Sequence, residues 1–491
     1  MKKSFAFFLA ALMLVSSLAS CASKPADPTP SADTTASSAG AEDTTTAETK
    51  NPNEDDLPER NFEGEKITFL VRTEMGYEFD AENDGEVVND AVFNRNVDLG
   101  ERFNVKFEYI QQKGLWASRS TYTDSITGPI LAGDAPYNIL TGQSNIILPL
   151  AVQNLYHDLA DAEHIDFSKP YWKEGYHSNA TLNGHLFTLM GDYALSTLNN
   201  SNVMIFNKTM FDNNKVEHPY QLVKDGKWTV DKFIEISSQF VKDVNGDGAM
   251  TNADQYGLAA NNNGVTPFCY STGCTMFDPD ESGSMKFNFP SEQEANVFDK
   301  MFDFYNGGVF VNSDSMLTEY TGSKMATFFA TDHSAFCAGR LMEVEYLRDM
   351  ESDFGILPYP KYDEDQKEYI TSVLRTVTVA SIPTTYAKPE KLTFILEAMS
   401  SYGYNKITPA YYEVALKGKY TRDSLTAEML DIITTTQYFA FADVFYAELG
   451  GQSDFLVLYL KEGVKGLGSF VEGRRSALQA DLEALLKAYA K

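Results

Sequence analysis

Ile67-Thr68-Phe69-Leu70-Val71, then Val88, Val92, Leu99 and Phe103, then Val105, Phe107 and Tyr109: the stretch from 67 to 109 decides the fold. Its first five residues make an apolar and β-branched run, as a strand buried on both faces does. The next four fall at helical spacing, with Asp84 and Asn89 as candidate N-caps. The last three alternate, which is the pattern of a strand. Strand, helix and strand in that order predict a right-handed βαβ unit, because a crossover helix packs back on its sheet with one hand. An α/β lobe is expected. Downstream, Leu131-Ala132-Gly133-Asp134 ends a helix on glycine and leads through Tyr137 and Asn138 into a short strand at Ile139.

Upstream, the chain reads as an export signal. Met1-Lys2-Lys3 is a basic start, and Phe5 to Leu18 is apolar but short for a membrane span. Residues 22–61 are rich in Ser, Thr, Ala, Pro and acidic residues, with almost no large apolar side chains before Leu57. Such a segment cannot offset its ordering entropy by burial, so a disordered tether is expected there.

What remains, roughly 430 residues, is enough for two domains or two large lobes. Hydrophobic residues at 43% and aromatics at 13% supply the core. A formal charge of −29 disfavours nucleic acid and anionic membrane surfaces as partners. Beyond Cys21 stand Cys269, Cys274 and Cys337. The first two bracket a turn-like stretch, and both a local disulfide and free buried thiols fit that spacing.

Several short runs resemble, in order, elements of the extracellular solute-binding protein family 1, the carbohydrate-type substrate-binding lipoproteins of ABC transporters. They are Leu131-Ala132-Gly133-Asp134 with Tyr137-Asn138, Asn183-Gly184-His185-Leu186-Phe187, Phe206-Asn207-Lys208 with Phe211, Trp228-Thr229 with Asp231 and Phe233, Gly339-Arg340, and Gly355-Ile356-Leu357-Pro358-Tyr359-Pro360-Lys361. Thr229 or Asp231 is expected to cap a helix, with Trp228 packed beneath it. Ala410-Tyr411-Tyr412-Glu413 and Tyr420 to Asp423 resemble a branch common among clostridial lipoproteins. Leu18-Ala19-Ser20-Cys21 resembles a bacterial lipobox, which implies cleavage before Cys21 and a thioether-linked diacylglycerol with palmitate-type chains on its sulfur.

The resemblance implies a two-lobed, periplasmic-binding-protein-like α/β fold of class II, with a ligand cleft and strands crossing between the lobes. Crossings are expected near 199–205 and 372–378. The expected division is 1–21 signal, 22–61 tether, 62–200 with 375–450 as lobe 1, and 201–374 with 451–491 as lobe 2. The implied function is a monomeric importer receptor on the outer face of the cell membrane, whose implied partners are two permease subunits and an ATPase. A surface glycan-binding or sensory lipoprotein without a permease stays open as an alternative, as does a non-sugar solute.

Two groups of residues carry candidate chemistry. Asp243, Asn245, Asp247, Ala249 (through its carbonyl), Thr251 and Asp254 stand at positions 1, 3, 5, 7, 9 and 12 of a loop with Gly248 at position 6. That is the oxygen-rich pattern Ca²⁺ prefers, although Asp254 is shorter than the usual glutamate and no exiting helix follows. A structural calcium is expected, and no organic cofactor. For a sugar, whose C–H faces stack on rings and whose hydroxyls need planar partners, the candidates are Trp116, Trp172, Asp192, Tyr193, Tyr411 and Tyr412. No zinc-protease, nucleophile-elbow or phosphate-loop motif occurs, and the six histidines show no ligand spacing. A binding protein is expected, not an enzyme, although abundant carboxylates leave a glycosidase open.

Overall fold

A computed structural model describes residues 51–490 except 282, 318, 320–322 and 413–423. The signal, Cys21, most of the tether, Glu413 and the Tyr420–Asp423 run lie outside the described residues. The predicted βαβ start is present: β1 (Glu65–Arg72), α1 (Val87–Phe103) and β2 (Val105–Gln112), followed by α2 (Arg119–Ala132) and β3 (Ile139–Gln143). Strands β1 and β2 pair in parallel along eight residues, from Glu65–Val105 to Arg72–Gln112. Helix α1 turns Val92, Arg95, Leu99 and Phe103 inward. Arg95 sits there because its guanidinium donates to the carbonyls of Glu78, Phe79 and Tyr193. The helix starts after Glu86 without a side-chain cap, and neither Asp84 nor Asn89 fills that place. Asp90 instead accepts the N–H groups of Asp84 and Gly85.

After Asn200 the chain enters a second sheet through β4 (Asn202–Asn207), α3 (Val230–Ser238), β5 (Tyr256–Ala260), α4 (Glu292–Asn306), β6 (Phe310–Asn312), β7 (Ser334–Arg340) and β8 (Phe354–Leu357). Thr229 caps α3 by accepting the N–H of Lys232, and Trp228 is fully buried, its indole donating to Pro358 O. The chain returns through β9 (Thr371–Ser372) and β10 (Thr378–Ser381), and continues as α5 (Pro389–Tyr402) and α6 (Ser424–Thr435). A third crossing, β11 (Gln437–Tyr438), leads to α7 (Phe455–Glu462) and α8 (Leu467–Ala488).

The first sheet has the order β10-β3-β1-β2 and the second β8-β4-β7-β5-β6. In β4, Val203 and Ile205 enter one apolar cluster, and Met204 and Phe206 the other. Both faces of the second sheet are thus covered, as a central strand of an α/β layer requires. Helix α6 lies against β8, with Leu430 and Ile433 in the cluster of Ile205 and Ile356. It packs on the second sheet, although it falls within the 375–450 stretch expected in lobe 1. Helix α8 begins against α4 and ends at Tyr489, whose ring meets Phe187 and Phe445.

Residues 51–61 differ from the expected tether. Asp55 is buried and accepts both terminal nitrogens of Arg102 at 2.8 Å, while Lys169 reaches the carbonyls of Pro52 and Glu54. These polar residues are held by charge-assisted bonds in place of apolar burial. Cys269, Cys274 and Cys337 are buried free thiols.

Candidate ligand site at the strand ends

The hinge places the site. Ser201 pairs with Val373, Val373 donates its N–H to Tyr438 O, and β9 pairs with β11. Three chain segments therefore form one ribbon between the sheets. Asn202 pairs with Arg340 and Thr378 pairs with Gln143. The ribbon thus leaves the second sheet beside the carboxyl end of β7 and enters the first beside the carboxyl end of β3. In open α/β sheets, ligands bind outside those ends.

The residues there are polar and anchored. Arg72, closing β1, donates to Thr378 Oγ1 at 2.7 Å and to Thr376 O at 3.3 Å. Glu78 accepts from Thr378, and its burial pushes its carboxyl above the ordinary value against the pull of Arg72. Asn200 accepts from Thr376 and from Arg340 of β7. The side-chain oxygens of Gln143 and Asn145 are buried without a hydrogen-bond partner among the described residues.

Arg375, in the return segment, organises the centre. Its guanidinium holds Asp443 at 3.1 Å and Asp454 at 3.0 Å and lies 3.8 Å above the centre of the Tyr446 ring. Burial pulls the Arg375 pKa down, but the two carboxylates hold it above its ordinary value. Burial pushes the Asp443 carboxyl up, opposed by Arg375. Tyr446 meets Trp116 edge to face at 6.1 Å, and the 43% exposed indole lies in the loop after β2. The result is an exposed aromatic edge beside planar charged groups, which suits a polyhydroxylated solute with apolar faces.

The other sequence candidates lie elsewhere. Trp172 is buried, with its indole N–H on Glu397 Oε2 at 2.7 Å. Tyr193 is fully buried and donates to Leu189 O, and Tyr411 is buried in the second apolar cluster. None of these three rings offers a face to a solute. Asp192 and Tyr412 are brought together, but on a separate cavity of about 520 Å³ that shares no residue with the Arg375 group. Sequence reading missed Arg375, Asp443, Tyr446 and Asp454. The position of Arg375 between the two return strands was the only available pointer.

The 243–254 loop turns through Gly246 and Gly248, at φ +72° and +81°. Asp243 accepts the N–H groups of both glycines, Asp247 that of Ala249, and Asp254 those of Val244 and Thr251. Asn245 donates to Asp247, and the Thr251 hydroxyl to Asp254. Backbone hydrogen bonds from Thr251 and Val244 hold the Asp254 carboxyl below its usual value. The donor types and the turn fit a hard cation. Among the described residues, however, no three His, Cys, Asp or Glu side chains converge on one point.

Comparison with known proteins gives the class. No family model matches the chain, and no curated protein matches it. Solved structures do. A sugar transporter protein of Rhizobium etli in an open conformation aligns over 86% of this chain and 98% of its own, at a TM-score of 0.55 and 13% identity. A cyclo/maltodextrin-binding protein complexed with maltotetraose aligns over 86% and 96%, at 0.54 and 11%. An ABC substrate-binding protein of Listeria monocytogenes in complex with cycloalternan aligns over 87% and 98%, at 0.52 and 11%. The chain has the two-lobed, periplasmic-binding-protein-like fold. The structures it is similar to are described as a sugar transporter protein, a maltodextrin-binding protein and an ABC substrate-binding protein.

Proposed function

We propose that this chain is the solute receptor of an ABC importer, of the family 1 carbohydrate type, and that it captures a sugar or oligosaccharide by closing two lobes. The observation that carries this reading is the group at the strand ends: exposed Trp116 against Tyr446, with Arg375 fixed by Asp443 and Asp454. A ligand touching Trp116 on one lobe and the Arg375 group on the hinge favours the closed form by its differential contacts. The receptor acts as a monomer without catalysis and hands its cargo to permease subunits. A lipid on Cys21 anchors it outside the cell, and the intact mass of the mature protein checks that anchor. Among the described residues no helix is long and apolar enough to cross a membrane. The 243–254 loop takes Ca²⁺ as a structural ion through Asp243, Asn245, Asp247, Ala249, Thr251 and Asp254, whose oxygens exchange loop N–H groups for the metal.

Titration calorimetry across mono- and oligosaccharides, amino acids and short peptides tests the reading. Binding of one sugar class at micromolar or tighter affinity supports it. Binding confined to a non-sugar class refutes the carbohydrate assignment.

A further inference from the structure

Around the strand-end site, three buried polar atoms make no hydrogen bond with any described residue: Gln143 Oε1, Asn145 Oδ1 and the Tyr270 hydroxyl. Their residues are 3%, 5% and 2% exposed. Gln143 closes β3 and pairs with Thr378, and Ser144 donates its N–H to Val377 O. Gln143 and Asn145 therefore stand beside the return segment that carries Arg375. Tyr270 belongs to the second lobe, in the helical turn Pro267–Ser271 that follows β5. Its ring meets that of Tyr438, in the third crossing, at 6.1 Å. Thr266, at the head of the same turn, reaches Asp454 at 3.4 Å. Burial pushes the Tyr270 pKa up, and the Asp443 charge adds to that rise. Tyr270 thus borders the Arg375 group from the second lobe.

Buried polar atoms are nearly always bonded, because an unmatched one costs the folded chain the desolvation of that group. Three such atoms around one site call for a polar occupant. The groups themselves define its chemistry. A carboxamide has an acceptor end and a donor end, and a phenol has both on one atom. A solute hydroxyl matches any of these by turning its hydrogen. A carboxylate or phosphate has no hydrogen to give to a carbonyl oxygen, and an ammonium has no lone pair to accept an N–H. The nearby guanidinium groups leave that match unaltered. Arg72 is held by Thr378 and Thr376, and Arg375 by Asp443 and Asp454.

We propose that Gln143, Asn145 and Tyr270 are specificity-determining contacts of the cleft, and that they select a neutral polyhydroxylated solute over acidic and amino sugars. This rests on the receptor reading given above and names the chemistry of its ligand. Gln143 and Asn145 engage hydroxyls from the first lobe, and Tyr270 engages another from the second. The full set of bonds forms only when both lobes meet the solute, which favours closure. Until then the unfilled receptor is less stable for carrying three unmatched groups.

Two measurements on the intact chain test this. The first uses no ligand: Gln143→Met, Asn145→Leu and Tyr270→Phe nearly keep the volume and remove the unmatched atom. Each variant should melt no lower than the wild type, and the triple variant about 2 °C or more higher. A role in holding the fold would lower all of them. The second is titration calorimetry with glucose, galactose, maltotetraose and raffinose, set against glucuronate, galacturonate and glucosamine. The tightest binder should be a neutral sugar, with the acids and the amine at least tenfold weaker. Each single variant should weaken that neutral sugar at least fivefold. Lowered melting in the variants, tightest binding of a charged sugar, or undiminished sugar affinity in the folded variants overturns the proposal. Binding of no member of the panel counts against the sugar-receptor reading, and the melting temperatures then decide. A rise supports the three groups as contacts for another hydroxylated solute, and a fall overturns them.

Discussion

Glu448 is a carboxyl in the wrong surroundings. Both oxygens are buried without a hydrogen-bond partner on any other described residue, and burial pushes its pKa up to about 7 from 4.5. Burial raises the Tyr176 and Tyr489 hydroxyl pKa values, and the Glu448 charge adds to that rise. A carboxyl at about 7 folded and about 4.5 unfolded holds its proton more tightly by about 3 kcal/mol in the folded chain. The folded pKa is the raised one, so the stabilisation is fully present below pH 4.5 and is lost as pH rises through 7. Glu448→Gln keeps the neutral shape at every pH. Urea unfolding at pH 4, 5.5, 7 and 8.5 should show the variant gaining on the wild type by about 3 kcal/mol between the first and last values, most of it by pH 7. A stability difference that is the same at all four pH values would refute the reasoning.

Three further outcomes follow from geometry already described. Trp116→Ala should weaken the cleft ligand about tenfold or more, roughly 1.4 kcal/mol. Calorimetry measures that loss, and an unchanged melting temperature is expected because the indole is half in solvent. Arg375→Met leaves Asp443 buried and uncompensated and should cost about 3–5 kcal/mol in urea. The double variant with Asp443→Asn should recover part of that cost. EDTA should lower the melting temperature of the wild type and leave Asp247→Ala unmoved, with added Ca²⁺ restoring the wild type alone.

The fold was largely legible because its evidence is local and periodic. The run at Ile67–Val71, the spacing of Val92, Leu99 and Phe103, and the alternation from Val105 each report burial along a few residues, and burial is what makes a strand or a helix. The crossings near 199–205 and 372–378 were expected from the family resemblance, since no spacing marks where a chain changes lobe. Arg95 was not, since a buried arginine is satisfied by carbonyls of residues 78, 79 and 193, which no spacing reveals. The Arg375 group at the strand ends was harder still. Arg375 meets Asp443 across 68 residues and Asp454 across 79, through a third crossing of only two residues in β11. Aromatic residue type alone pointed to Trp172 and Tyr193, whose polar atoms turn out to serve the interior of the first lobe.

The protein contains three indoles, and two of them are sealed from water. A dissolved quencher such as acrylamide therefore strips light from a single position, beside Tyr446, where a captured molecule would shield it. Unlabelled material thus carries its own optical gauge of occupancy, and the fraction of emission a quencher removes can be followed during filling and emptying.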